Sequence, residues 1–204
     1  MSEPSLIGLI TAAGKSTRMG GFPKPLLTVE RDRFVERLIA QYDRAGVEDI
    51  VVVLGHEAAE VRKRADLSGA TVVENERYED GMLSSVREGV REAQDRDADG
   101  LLLSPVDYPL IPTHAISAVI DAFSEQPAAD VIQPTTDGGR GHPPLFAAST
   151  FDALLHDPAT ETEGARAVVY ADDTDTREVA VDDERIFVDI DTPEEYWDAV
   201  KRFA

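Results

Sequence analysis

The sequence predicts a single α/β domain, doubly wound around a mostly parallel sheet, and three observations carry that prediction. Short apolar runs, too brief for helices, alternate with segments whose apolar residues recur at helical spacing. Several of these runs are apolar on both faces, as strands covered by helices on either side must be. A glycine-bearing, cation-rich loop leaves the first run, at the carboxyl end of a strand, where open α/β sheets bind their ligands. With 204 residues and 42% hydrophobic content, the chain is long enough to bury one core.

Taken in order, strands are expected at residues 6–10, 50–54, 70–73, 101–103 and 131–132. Between them, Phe34, Leu38 and Tyr42 mark a helix that stops before Gly46. Residues 82–94 and 116–123 form the next two helices, the latter with Thr113 as its cap. The last third reads as a glycine-rich loop at residues 137–142, a short strand at 144–146, helical pieces, and a final strand at 185–190. Thr192, followed by Pro193, Glu194 and Glu195, has the form of a capping box with proline at the first helical position, opening a closing helix through Phe203.

Forty acidic side chains oppose twenty basic ones, for a formal net charge of −20. Such a surface repels nucleic acid and anionic membrane, so the anions this chain binds must be small and captured locally. Lysine occurs only at positions 15, 24, 63 and 201, a balance that suits a high-salt cytoplasm. The absence of cysteine rules out a disulfide framework and a thiolate nucleophile or metal ligand. The amino terminus has no basic leader pattern and no apolar run approaches the length of a membrane span, which predicts a soluble, cytoplasmic protein.

The stretch SLIGLITAAGKSTRMGGFPKPLL, residues 5–27, combines Gly14, Gly20 and Gly21 with Lys15, Arg18 and Lys24. No acidic residue lies between Glu3 and Glu30, so its positive potential is not cancelled locally. Glycines let backbone amides approach phosphate oxygens while the cations supply countercharge, which makes this a candidate nucleotide site. GKST at residues 14–17 imitates the end of a P-loop, and the later LLLSPVD imitates its companion strand and Asp. A P-loop requires glycine at position 9, where Leu9 stands, and its Lys opens a long helix, which Gly20, Gly21, Pro23 and Pro25 would interrupt here. No GxGxxG follows any strand.

The strand followed by Ala12-Ala13-Gly14-Lys15-Ser16-Thr17-Arg18-Met19-Gly20, a spacer and Lys24 resembles the signature of nucleotidyltransferases. The resemblance continues in order through NERYEDGMLSSVREGV (75–90), LLLSPVDYPLI (101–111), GRGHPPLF (139–146) and VDIDTPEEY (188–196). These five blocks look most like the molybdenum cofactor cytidylyltransferase and guanylyltransferase family, and PKPLLTV is also similar to sugar-phosphate nucleotidyltransferases. The resemblance implies a Rossmann-like, nucleotide-diphospho-sugar transferase-like fold, with a nucleotide-binding half at about residues 1–110 and an acceptor-binding half at about 111–204. It implies that Gly14, with Thr11, Ala12, Ala13, Lys15 and Ser16, wraps a triphosphate. Lys15 and Arg18 would then balance pyrophosphate, and Lys24 the α-phosphate. Ala13 stands where guanylyl-transferring relatives carry a second glycine, which favours CTP over GTP. Arg140 and His142 would lie beside the acceptor, whose phosphate or pterin they would contact.

Asp107, just past the carboxyl end of a central strand, is the first candidate metal ligand; the alternative is a turn aspartate before Pro109. Asp189 and Asp191, two residues apart on an extended segment, would face one side, and one of them supplies the second ligand, Asp191 ranking ahead. Carboxylates with phosphates and water match magnesium, with manganese as a substitute, whereas the four histidines are scattered. Asn75, Gly81, Ser84 and Ser85 precede or open a helix, where they meet base and ribose or simply cap. Three functions remain open from sequence: transfer of a nucleotide onto molybdopterin or onto a sugar or alcohol phosphate, P-loop-type NTP hydrolysis, and noncatalytic nucleotide binding as a cofactor chaperone.

Overall fold

A computed structural model of the chain describes residues 3–203. Strand β1 (Leu6–Ala12) leads through a loop to a small hairpin, β2 (Thr28–Val29) and β3 (Asp32–Arg33), and then α1 (Phe34–Arg44). There follow β4 (Asp49–Leu54), α2 (Ala58–Arg64), β5 (Thr71–Glu74), α3 (Met82–Asp95) and β6 (Gly100–Pro105). The second half contains α4 (Thr113–Glu125), β7 (Val131–Thr136), β8 (Gly139–Arg140) and β9 (Leu145–Ala147). Three short helices come next, α5 (Phe151–His156), α6 (Thr160–Glu163) and α7 (Arg166–Val169), before β10 (Thr176–Ala180) and α8 (Pro193–Phe203).

The main sheet has the order β10-β7-β9-β6-β1-β4-β5, with β8 added to β7. Pairings β1 with β4 and β6, β4 with β5, and β7 with β10 are parallel, while β9 runs antiparallel between β6 and β7. From β1 the chain steps outward to β4 and β5 and then returns to β6 on the other side of β1. The crevice between the carboxyl ends of β1 and β6 is therefore the switch point of the sheet, the place where such folds bind ligands.

Strand periodicity sorts the core into two layers. Ile10, Ile50, Val52 and Leu102 point to one face, where α1, α2, α4 and α8 pack, while Leu9, Val51, Val53 and Leu101 point to the other, beneath α3, α5 and α7. Because both faces are covered, the strands read as continuous apolar runs. The helix-period segments landed where the sequence predicts, with α1 ending at Gly46 in a left-handed conformation (φ 85°). The capping box at α8 is formed: Glu195 accepts from the Thr192 amide and donates its own amide to Thr192 Oγ1.

Two sequence expectations need correction, and two elements lie outside those the sequence predicts. Residues 185–190 are not a strand; Asp183 accepts from the Arg185 amide at 3.0 Å and closes a 3-10 turn over Glu184–Phe187. The strand that does close the sheet, β10, is polar and pairs only with β7, so it lacks the apolar run that marks a covered strand. Thr113 does not cap α4: Pro112 occupies that position and no side chain caps the end. Helix α2 was not anticipated, since its two buried residues, Ala58 and Val61, are too few to set a period.

The approach of α3 to the sheet depends on Gly89. A Cβ there would stand 2.3 Å from Leu9 Cδ2, and Leu9 is fully buried. Alanine ordinarily improves a helix interior by about 1 kcal/mol, but the overpacking at this contact costs about 1–3 kcal/mol. Gly89→Ala is therefore expected to lower the unfolding free energy by up to about 2 kcal/mol in chemical denaturation; a raised midpoint would contradict the packing.

Candidate active site

The loop after β1 is shaped by backbone rather than by side chains. The Ala13 carbonyl accepts from the His56 amide at 3.1 Å, and Ser16 takes a left-handed conformation (φ 51°) that turns the chain into the short 3-10 turn Thr17–Met19. The amides of Gly14, Lys15, Ser16 and Thr17 donate to no acceptor among the described residues, and so remain available to an anion. The following residues make a single 3-10 turn and not the long helix of a P-loop. Ser16 Oγ accepts from the Lys24 amide at 3.1 Å, which ties the loop to the turn Lys24–Leu26 between Pro23 and Pro25.

Across the crevice stands Asp107. Its carboxyl Oδ2 lies 3.6 Å from Lys24 Nζ, and Lys24 Nζ makes a closer ion pair with Asp191 Oδ1. Asp191 Oδ2 in turn pairs with Arg18 Nη1 at 2.5 Å. Asp191 is brought here by the segment before α8, where the Ile190 amide donates to the Asp107 carbonyl at 2.8 Å. Arg18, Lys24, Asp107 and Asp191 thus converge on one cleft of about 290 Å³, together with Thr11, Ala12, Ala13, Gly14, Lys15 and Ser16. Burial pushes the Asp107 carboxyl above the usual carboxylate range; Lys24 pulls it back, and Asp191 and Asp189 add repulsion.

The donor set fits a hard divalent cation. Two carboxylates approach a common point, and Asp107 Oδ1 is buried without any hydrogen-bond partner, as is Thr11 Oγ1 beside it on the cleft wall. Among the described residues there is no cluster of three His, Cys, Asp or Glu, so phosphate and water oxygens would complete the shell, the arrangement magnesium favours. Asp191 alone of the 189/191 pair lines this cleft; Asp189 faces only its neighbour, described next. The strand expected to carry the pair is absent, the Asp189 amide turning back to the Phe187 carbonyl at 3.0 Å, yet both residues line that second cleft.

A second cleft of about 610 Å³ shares Arg18, Met82, Pro105, Asp107 and Asp191 with the first and runs on toward the carboxyl-terminal half. Both Arg140 and His142 line it. Arg140 is held by Glu178 at 2.8 Å, with its guanidinium 5.0 Å from the Tyr170 ring centre. His142 packs 4.2 Å from Tyr108 and its Nδ1 lies 3.3 Å from the Leu103 carbonyl. Burial pushes its pKa down to about 4, so it is neutral at physiological pH and offers no charge to an acceptor phosphate.

The helix-opening candidates divide. Gly81 and Ser85 line the first cleft, but Asn75 and Ser84 do not. Asn75 is buried and donates to Ser84 Oγ at 2.8 Å and Ser85 Oγ at 3.0 Å, while its own oxygen accepts from the Arg77 amide. With those atoms engaged it braces the start of α3. Lys15 pairs with Glu79 at 2.5 Å, an exposed contact that raises its pKa. Sequence reasoning missed Glu79 and, in the second cleft, Tyr108, Arg166 and Tyr170; Glu79 lies within the NERYEDG block and Tyr108 within LLLSPVDYPLI, whereas Arg166 and Tyr170 lie outside every motif block.

The His142 environment has a consequence for stability. The unfolded side chain takes up a proton near its ordinary value of 6.5, whereas the folded one refuses it until about 4. Stability contributed by the neutral ring is present in full above the higher value and is lost as pH falls between the two. The residue keeps some solvent exposure, which reduces the loss to about 2 kcal/mol. From about pH 7 to about pH 4.5, wild type should lose roughly that much more unfolding free energy than His142→Gln in urea titrations; equal losses would refute the assignment.

The family described as MobA-like NTP transferase domain matches residues 8–176. The molybdenum cofactor cytidylyltransferase of Escherichia coli K12 is 26% identical over 96% of this chain and 95% of its own length. A molybdenum cofactor guanylyltransferase of Cereibacter sphaeroides is 30% identical over 93% of each. The nicotine blue oxidoreductase of Paenarthrobacter nicotinovorans is also 26% identical, over 95% of this chain and 96% of its own length. Among solved structures, Rv0371c of Mycobacterium tuberculosis H37Rv superposes with a TM-score of 0.82 at 27% identity, covering 98% of this chain and all of that one. Its complex with manganese superposes at 0.78 and 26% identity, over 97% and 99%. The chain belongs to the MobA-like NTP transferase family and is a nucleotidyltransferase.

Proposed function

We propose that this protein transfers CMP from CTP onto the phosphate of a molybdopterin-type cofactor in a magnesium-dependent reaction that releases pyrophosphate. The observation that supports this most is that the free amides after β1, the cations Arg18 and Lys24, and the carboxylates Asp107 and Asp191 share a cleft that opens directly into a second one. Overall similarity alone does not select the reaction, since a relative named as an oxidoreductase matches over as much of the chain as the transferases do.

In this reading the amides of Gly14 to Thr17 hold the β- and γ-phosphates, which have no other source of fixed donors in the cleft. Arg18, exposed at the mouth, balances the departing pyrophosphate, and Lys15 can leave Glu79 at little cost because that pair is solvated. Lys24 reaches the α-phosphate from the base of the cleft. Asp107 and Asp191 would hold magnesium, or manganese in its place, which when bound supplies charge neutralisation at phosphate oxygens. The chain itself supplies position: it brings acceptor and α-phosphate to the seam the two clefts share, between Met82 and Asp107. Ala13, buried beside Gly55, stands where the guanylyl-transferring members that the sequence resembles carry a second glycine, and this supports CTP over GTP. Arg140 and the neutral His142 contribute to the acceptor wall. The acidic surface keeps nucleic acid and anionic membranes away, which suits a cytoplasmic enzyme working on small anions, and among the described residues no helix is long and apolar enough to cross a membrane.

The test is pyrophosphate release across CTP, GTP, UTP and ATP with magnesium and purified molybdopterin cofactor. CTP is expected to lead; release with a sugar or alcohol phosphate instead would move the acceptor, and orthophosphate or tight binding without product would sink the transferase reading. Arg18→Ala and Asp107→Asn should each lower turnover by about 100-fold or more, while thermal melts remain within a few degrees of wild type. Retained turnover in either variant would remove that residue from the machinery.

A further inference from the structure

Lys24 is the one charged side chain in the buried interior among the described residues, and it is not buried in an ordinary way. Its ammonium lies against Asp191 Oδ1 and 3.6 Å from Asp107 Oδ2, the two carboxylates read above as the divalent-ion ligands. The remaining Asp191 oxygen is covered by Arg18. We infer that Lys24 is a resident counter-cation that occupies the divalent-ion position, keeps Asp107 and Asp191 together before nucleotide arrives, and bars the metal until a triphosphate draws the ammonium away.

The inference rests on that reading of the two carboxylates, and three features of the structure lead to it. The first is charge: Lys24 and Arg18 against Asp107 and Asp191 leave the cluster neutral, so a divalent ion entering alone would build up two uncompensated positive charges at a half-buried site. A triphosphate entering with the metal removes that excess, so the two are expected to load together. The second is geometry. The backbone of Lys24 is fixed between Pro23 and Pro25, and its amide is bonded to Ser16 Oγ in the anion-binding loop, so only the side chain can swing. The atoms that anchor this lysine therefore belong to the loop that receives the phosphates, and a phosphate there competes directly with the carboxylates for Nζ. The third is the buried, unpartnered Asp107 Oδ1, a lone pair that the ammonium does not satisfy and that a divalent ion would.

The experiment titrates Mn²⁺ into nucleotide-free wild type, Lys24→Met and Lys24→Arg, with free Mn²⁺ read by electron paramagnetic resonance and folding by far-UV circular dichroism. Lys24→Met keeps the aliphatic stem and removes the charge. It is expected to bind Mn²⁺ at least tenfold more tightly than wild type and to gain more in melting temperature from it, while Lys24→Arg stays close to wild type. Binding by folded Lys24→Met that is equal to or weaker than wild type would overturn the inference. If Lys24→Met is unfolded without metal, recovery of its native spectrum on adding Mn²⁺ supports the counter-cation role, and failure to recover at Mn²⁺ levels that saturate Lys24→Arg overturns it. No nucleotide or acceptor enters these measurements, so their outcome is separate from whether the protein releases pyrophosphate.

Discussion

The ion cluster of Lys24 with Asp107 and Asp191 is the interaction on which the rest of the molecule's organisation depends. It joins the loop after β1, the end of β6 and the segment before α8, three regions that are far apart in the chain. A buried ion pair is a poor source of net stability, because desolvation of the charges offsets their attraction. Its presence is better explained by position: in the proposed function each member lies where a triphosphate and its counterions would meet. Removing any one partner would leave an uncompensated charge in a half-buried crevice.

The sheet makes that convergence possible. Outward steps from β1 to β4 and β5, followed by the return to β6, open a crevice between two parallel strand ends, and both functional segments emerge there. The carboxyl-terminal half adds the antiparallel β9 beside β6 and so extends the floor of the crevice toward Tyr108, His142 and Tyr170. The two clefts differ in kind. The first is walled largely by backbone and small residues, whereas the second is walled by aromatic and arginine side chains. Divergence among full-length relatives that share the fold, some named as transferases and one as an oxidoreductase, fits an architecture whose chemistry lies in such side chains.

Electrostatic economy runs through the whole surface. In a chain of net charge −20 an arginine or lysine easily finds a carboxylate, and Lys15, Arg18 and Arg140 each have one, at Glu79, Asp191 and Glu178. The cations available to a nucleotide are thus already screened by the protein's own acids. An anion taken up there would exchange partners with these carboxylates and not fill a bare positive pocket, and the exposed pairs would exchange more easily than the buried one.

Much of this was legible in the residues alone. Apolar runs long enough to be covered on both faces announced β1, β4 and β6, and strong 3.6-residue periods announced α1 and α3, because burial imposes those patterns locally. The loop chemistry of Gly14, Arg18 and Lys24 was equally local. What sequence could not supply was set by contacts between distant segments: β10 is a strand only because β7 offers it an edge, and residues 185–190 are not one because Asp183 closes a turn instead. Only the fold shows that the Asn75 amide is bonded to Ser84 and Ser85, and only the fold shows the burial that lowers the His142 pKa. Local composition therefore determined which elements form and where anions are met, whereas hydrogen-bond partners and desolvation, which depend on residues far off in the chain, decided which polar side chains are free to act.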